Sequence, residues 1–151
     1  MTFSLSATPV IIYHPNYRAT NHHLDKRLDH PRDCIMTTLF GIKNCDTVKK
    51  ARRWLDAKKV GYQFHDFRDD GLTEAQVQKW IDTIGLGTLV NKRSTAWKTL
   101  SNTEKQQITS HYVYVAAIIV EHPTLIKRPL LENNGEATVG FSEANYNDIF
   151  S

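Results

Sequence analysis

Cysteine is scarce in this chain, with two in 151 residues, and no stretch supplies the ~20 consecutive apolar residues that a membrane helix needs. The longest apolar run, Tyr112 to Val120, falls well short of that length. No secretory signal is expected either, because Val10 to Tyr13 is too short for an apolar signal core and follows Pro9 directly. Two cysteines without a signal do not read as a disulfide framework, so reduced thiols in the cytoplasm are expected. Charge of one sign is also lacking in any block. The formal net charge is +3 and the pI near 8.9, but Lys and Arg are interspersed with acids, so no nucleic-acid partner is expected on charge. No repeat or low-complexity tract is present. What remains is length enough for one domain with its own core.

The chain divides by pattern. Residues 1–35 hold four of the seven His and three of the five Pro, with neither helical nor strand periodicity. This stretch reads as an unstructured extension that adds nothing to the core, with the natural start expected at Met36. His22, His23 and His30 have no Cys or acid partners at ligand spacing, so no metal is expected there. Cys34 belongs to the same stretch and reads as a bystander whose replacement by Ser changes nothing.

Structure begins after Met36. Thr37-Thr38-Leu39-Phe40-Gly41-Ile42 is β-branched and aromatic, as a first strand should be. Val48, Ala51, Trp54 and Leu55 mark an amphipathic helix over 46–59, closed by Gly61. Tyr62 to Phe67 alternates like a second strand. Thr73-Glu74-Ala75-Gln76 and Ser101-Asn102-Thr103-Glu104 are capping boxes. The first opens a helix through Ile84 that Gly85 and Gly87 end; the second opens one carrying Ile108, Tyr112, Val115, Ala116 and Ile119 as far as His122-Pro123. Leu130-Leu131-Glu132, the turn Asn133-Asn134-Gly135, and Ala137 to Phe141 form a hairpin, and a last helix covers 142–150. Strand, helix, strand, helices, hairpin, helix is an α/β plan, a thioredoxin-like fold with a mixed sheet and an inserted helical portion.

Chemistry concentrates at Cys45. It stands between the first strand and the first helix, where free N–H groups and the helix dipole favour an anion. Thiols so placed ionise at ~3.5–7.5 rather than ~8.5 and are nucleophiles at neutral pH. Lys43 adds positive charge nearby, and Asn44 either donates a hydrogen bond to substrate or shapes the turn. Downstream, Lys127-Arg128-Pro129 precedes the third strand, where thioredoxin-like folds set a residue pair facing the helix-start cysteine. An X-Pro bond there is a candidate for cis, and Arg128 would lie beside Cys45. His65 and Asp66 alternate in strand fashion and read as surface positions. Trp54, Trp80 and Trp97 read as core and rim packing.

Two segments, Phe40-Gly41-Ile42-Lys43-Asn44-Cys45-Asp46-Thr47-Val48-Lys49-Lys50-Ala51 and His122-Pro123-Thr124-Leu125-Ile126-Lys127-Arg128-Pro129-Leu130-Leu131, resemble the arsenate reductase family. The likeness is greatest to its branch of uncharacterised glutaredoxin-like reductases, and it covers nearly all of 36–150. The resemblance implies that Cys45 is the catalytic cysteine, that Arg128 binds the oxyanion and favours the thiolate, and that Pro129 is a cis proline. It implies glutathione or a glutaredoxin as the source of electrons, with no bound cofactor. Lys43, Asn44, Arg93, Lys127 and Pro129 are the expected substrate- or thiol-binding residues.

Two departures narrow this. Where arsenate reductases carry further arginines, this chain has Gly140 and Asn91, with Arg93 two places on, so arsenate is not the expected substrate. Val48 occupies the position of the second thiol in a Cys-x-x-Cys pair. Cys45 is therefore a single nucleophile whose disulfides an outside thiol must resolve, and a related branch of RNA-polymerase-binding regulators usually carries the pair. The expected function is a glutathione-dependent thiol reductase, monomeric, acting on a small-molecule or protein-thiol centre: a disulfide, a sulfenic acid or an oxyanion. The alternative is a non-enzymatic regulator of the same fold, either redox-sensing through the cysteine or binding RNA polymerase.

Overall fold

The computed structural model describes residues 37–110 and 113–151, all of which fall within one compact unit, Arg32–Ser151. The proposed N-terminal extension, with its four histidines and Cys34, lies outside the described residues.

Strand β1 (Thr38–Gly41) runs into helix α1 (Asp46–Ala57), which crosses over to β2 (Gln63–Asp66), parallel to β1. A helical insert follows, consisting of α2 (Glu74–Ile84), α3 (Leu86–Leu89), α4 (Thr95–Thr99), α5 (Asn102–Thr109) and α6 (Val115–Glu121). A single 3-10 turn, Pro123–Leu125, leads to the hairpin β3 (Leu130–Asn133) and β4 (Glu136–Val139), and α7 (Glu143–Ile149) ends the fold. The sheet order is β2-β1-β3-β4, with β3 antiparallel to both neighbours. This is the mixed sheet with a helical insert that the pattern predicted.

Strand alternation divides the core between the two faces of the sheet. Phe40 and Leu130 face the insert and join Trp80, Leu89, Ile108, Ile119 and Ile126. Leu39 and Leu131 face the other way, onto Ala51 and Leu55 of α1 and Tyr146 of α7. Trp80 meets Phe40 edge to face at 4.8 Å, and Trp54 meets Tyr146 likewise at 5.5 Å, so both indoles pack as expected.

Both capping boxes form, with Thr73 and Ser101 accepting from the backbone of Gln76 and Glu104. The hairpin turn places Asn134 at φ 53° and Gly135 at φ 85°, the pair of left-handed residues that a two-residue turn requires. Two boundaries differ from the sequence reading. Helix α1 ends at Ala57 because Lys59, not Gly61, takes the left-handed conformation (φ 56°), and the Val60 N–H turns back to the Leu55 carbonyl. The single helix expected up to His122 is instead two, α5 and α6. At the break, Thr109 and Ser110 direct their hydroxyls to the carbonyls of Lys105, Gln106 and Gln107, a local bonding pattern that competes with helix continuation.

Close approach of β1 and α1 depends on Gly41. A Cβ there would stand 2.6 Å from Cγ2 of Val48, a fully buried side chain in the first turn of α1. Gly41→Ala is expected to cost about 1–3 kcal/mol in urea unfolding, because the branched Val48 cannot rotate clear of a packed surface. Val48→Ala in the same background should recover part of the loss. On the other face, the Tyr146 hydroxyl is buried without a partner, and burial pushes its ionisation well up from the usual 10.0. Tyr146→Phe removes that unpaired group, so thermal unfolding should show equal stability or a gain of up to about 1 kcal/mol.

Candidate active site

Cys45 is the residue that caps α1. Its backbone is extended (φ −119°, ψ 122°), its carbonyl accepts the first helical bond from the Lys49 N–H at 2.9 Å, and its side chain makes no capping bond of its own. The thiol is half-buried against the larger core cluster and forms no disulfide. Twelve residues of helix follow it, long enough for a developed dipole with its positive end at Cys45. Val48, where a second thiol would stand, fills the notch over Gly41.

The register Phe40↔Leu130 sets the end of β1 beside the start of β3. The Lys43-Asn44-Cys45 turn and the Arg128-Pro129 segment therefore emerge at one end of the sheet. The Arg128–Pro129 peptide is cis, as its position suggested, and the Pro129 carbonyl accepts from the Gly140 N–H at 2.7 Å. Arg128 donates through Nη1 to the Thr124 carbonyl at 3.1 Å, while its Nε is buried with no partner.

Arg128 also lines a cleft of about 570 Å³ together with Gly87, Asn91, Lys92, Arg93, Lys127 and Gly140. The strip Leu89 to Asn91 is stitched to Leu125 to Lys127 by an isolated bridge between Val90 and Ile126. Two backbone bonds support it, Asn91 N–H to Leu125 O at 2.7 Å and Lys127 N–H to Leu89 O at 2.8 Å. That stitch brings Arg93, expected from the sequence, next to Lys127 and Arg128, and adds Lys92, which was not singled out. Lys92 lies 5.6 Å over the Trp97 ring and Lys127 donates to the Gly87 carbonyl at 3.3 Å. Among the described residues none of the four cations is paired with a carboxylate, so the cleft is suited to anions. Gly140 forms part of its wall at φ 85° with no side chain.

Cys45, Lys43 and Asn44 do not line this cleft, and Pro129 is buried at the head of β3. Asn44 is exposed in the turn. Lys43 has its ammonium on Asp69 of the loop after β2, and that carboxylate holds the Lys43 charge above its usual 10.5. Among the described residues, no three His, Cys, Asp or Glu side chains gather as a metal site, and no helix is long and apolar enough to cross a membrane.

The surface reading of Asp66 does not hold. Asp66 is 4% exposed, and its carboxylate accepts the backbone N–H of Lys43 at 2.8 Å and of Arg68 at 2.9 Å. Burial alone would raise its ionisation, but these N–H donors and the Lys43 charge outweigh burial and hold it below the ordinary 3.8. His65, next in the strand, is half-buried against Phe40 with Nε2 2.6 Å from the Gly71 carbonyl. Alternation alone cannot reveal that a strand's last residue is turned under a neighbouring loop.

Comparison with known proteins agrees with this architecture. The ArsC family model matches residues 40–149. An uncharacterised protein of Haemophilus influenzae is 41% identical over 121 residues, which span 77% of this chain and 100% of that one. The solution structure of an arsenate reductase (ArsC) related protein from Brucella melitensis is 33% identical with a TM-score of 0.59, over 78% of this chain and 96% of that one. The global transcriptional regulator Spx of Streptococcus mutans is 27% identical over 72% of this chain and 78% of its own length. With a thioredoxin-like mixed sheet, a helical insert and a helix-start cysteine in one register, the chain belongs to the ArsC family.

Proposed function

We propose that the protein is a thiol reductase that uses Cys45 as its single nucleophile and glutathione as the outside thiol. The observation that supports this reading is that one end of the sheet carries both features: a cysteine capping a twelve-residue helix without a capping bond of its own, and an arginine whose Nε is buried with no partner among the described residues. With a disulfide as substrate, the Cys45 thiolate attacks one sulfur, the S–S bond breaks, and the departing sulfur leaves as a thiolate that takes up a proton. A glutathione thiolate then attacks the Cys45 sulfur of the mixed disulfide and expels the second substrate thiolate. A second glutathione attacks the glutathione sulfur left on Cys45 and frees the Cys45 thiolate, so that two glutathiones become one glutathione disulfide as the substrate disulfide becomes two thiols. Arg128 and the helix start hold the negative charge on sulfur, and the cations of the cleft suit the carboxylates of a peptide thiol.

The likeness to Spx raises the second reading, a regulator oxidised once. A valine buried in the place of the second thiol argues against an internal disulfide switch. Turnover coupled to glutathione reductase and NADPH decides between them. Repeated cycles on a disulfide substrate support the reductase; one equivalent of oxidation per chain with no cycling contradicts it.

A further inference from the structure

We infer that Asp66 is a positioning residue for the Cys45 thiol, acting by fixing the turn that delivers the cysteine to the head of α1. This builds on Cys45 being the reacting group. Three observations converge on the turn. The Gly41 carbonyl accepts from the Phe67 N–H at 2.8 Å, one residue before Ile42, and the Asp66 carboxylate accepts from the Lys43 N–H, one residue after it. The end of β1 is thereby gripped on both sides of Ile42, itself in the core. The Lys43 side chain is then held by Asp69 of the same loop, so backbone and ammonium are both tied to the segment following β2.

Asp66 is in turn fixed. Its own N–H donates to the Asp70 carboxylate at 2.8 Å, and its carbonyl accepts from the Asp70 N–H at 2.9 Å. A charge buried for core packing alone would be an expense, because an apolar residue fills such space without desolvation. Here the carboxylate accepts two backbone N–H groups that would otherwise be orphaned, and one of them belongs to the turn in front of the nucleophile. Without that acceptor the turn is released, Cys45 is no longer held as the helix cap, and the sulfur loses the N–H field that favours its anion.

The charge of Asp66 acts in the opposite sense on a nearby thiolate, so the test must cancel it. Asp66→Asn and Asp66→Ala both lack the charge, but Asn keeps one acceptor oxygen. Iodoacetamide alkylation of Cys45 at pH 6 should be about tenfold slower in Asp66→Ala than in Asp66→Asn. The Lys43 amide should exchange with solvent fastest in the Ala variant. Equal alkylation rates in two folded variants would overturn the inference. A measurement on the unaltered protein covers the case in which Asp66→Ala does not fold. By NMR, the Lys43 amide proton should move with the Asp66 carboxyl carbon on one acid titration, and independence of the two would equally overturn it. If the variants differ as expected while the unaltered protein shows no turnover with glutathione, the reductase reading fails and the positioning role of Asp66 stands.

Discussion

Cys45→Ser should abolish reductase turnover, by on the order of 10³-fold or more, while leaving the fold intact. A hydroxyl fits where the half-buried sulfur sits, and it can accept hydrogen bonds from the free N–H groups at the head of α1. It does not ionise near neutrality and so supplies no anion to attack sulfur. Stability should hold or rise slightly, because serine is a strong helix cap whereas Cys45 makes no capping bond. Steady-state turnover and urea unfolding on the same preparation check both halves. Residual turnover in the Ser variant above a tenth of wild type, a generous margin against the 10³-fold expectation, would remove Cys45 from the chemistry.

Arg128 should give the second largest effect. Its guanidinium is anchored by Nη1 on the Thr124 carbonyl and retains a buried, unsatisfied Nε, and among the described residues no carboxylate pairs with it. Arg128→Ala should weaken binding of glutathione by about 10–100-fold, the range expected for losing a charge-assisted hydrogen bond of 1.5–3 kcal/mol. It should also slow alkylation of Cys45 near neutral pH, since a cation at that end of the sheet favours the thiolate. Arg128→Lys keeps the charge but loses the planar fork. It should preserve much of the alkylation rate while still weakening carboxylate binding. Calorimetric titration with glutathione and pH-dependent alkylation separate the two roles, and identical behaviour of Ala and Lys would show that charge at this position is immaterial.

Much of this arrangement is legible in the residues. Capping boxes at Thr73 and Ser101 and the Asn134-Gly135 turn are local chemistry, written within a few neighbouring positions, whereas the cis Arg128–Pro129 bond was expected from its place in the fold and the family resemblance. The place of Cys45 follows equally from a β-branched run meeting a helical period. What pattern could not supply is long-range. Lys92 and Arg93 reach Lys127 and Arg128 through one isolated bridge with no periodic signature, and Lys43 is claimed by Asp69 across 26 positions. Asp66 differs from its strand neighbours because the loop after β2 folds the carboxylate under the β1–α1 turn, which a period of two does not encode. The division into α5 and α6 depended on hydroxyls returning to carbonyls, a competition that apolar spacing does not register.

The most direct test of the central claim is to follow the thiol itself during turnover. Samples quenched with acid while glutathione and a disulfide substrate are cycling should carry a mixed disulfide on Cys45, located by peptide mass spectrometry. That adduct should form and decay at rates at least as fast as steady-state turnover, and it should be missing from Cys45→Ser. Turnover that proceeds with no adduct on Cys45, or an adduct that accumulates on Cys45 and is never released by glutathione, would contradict the account.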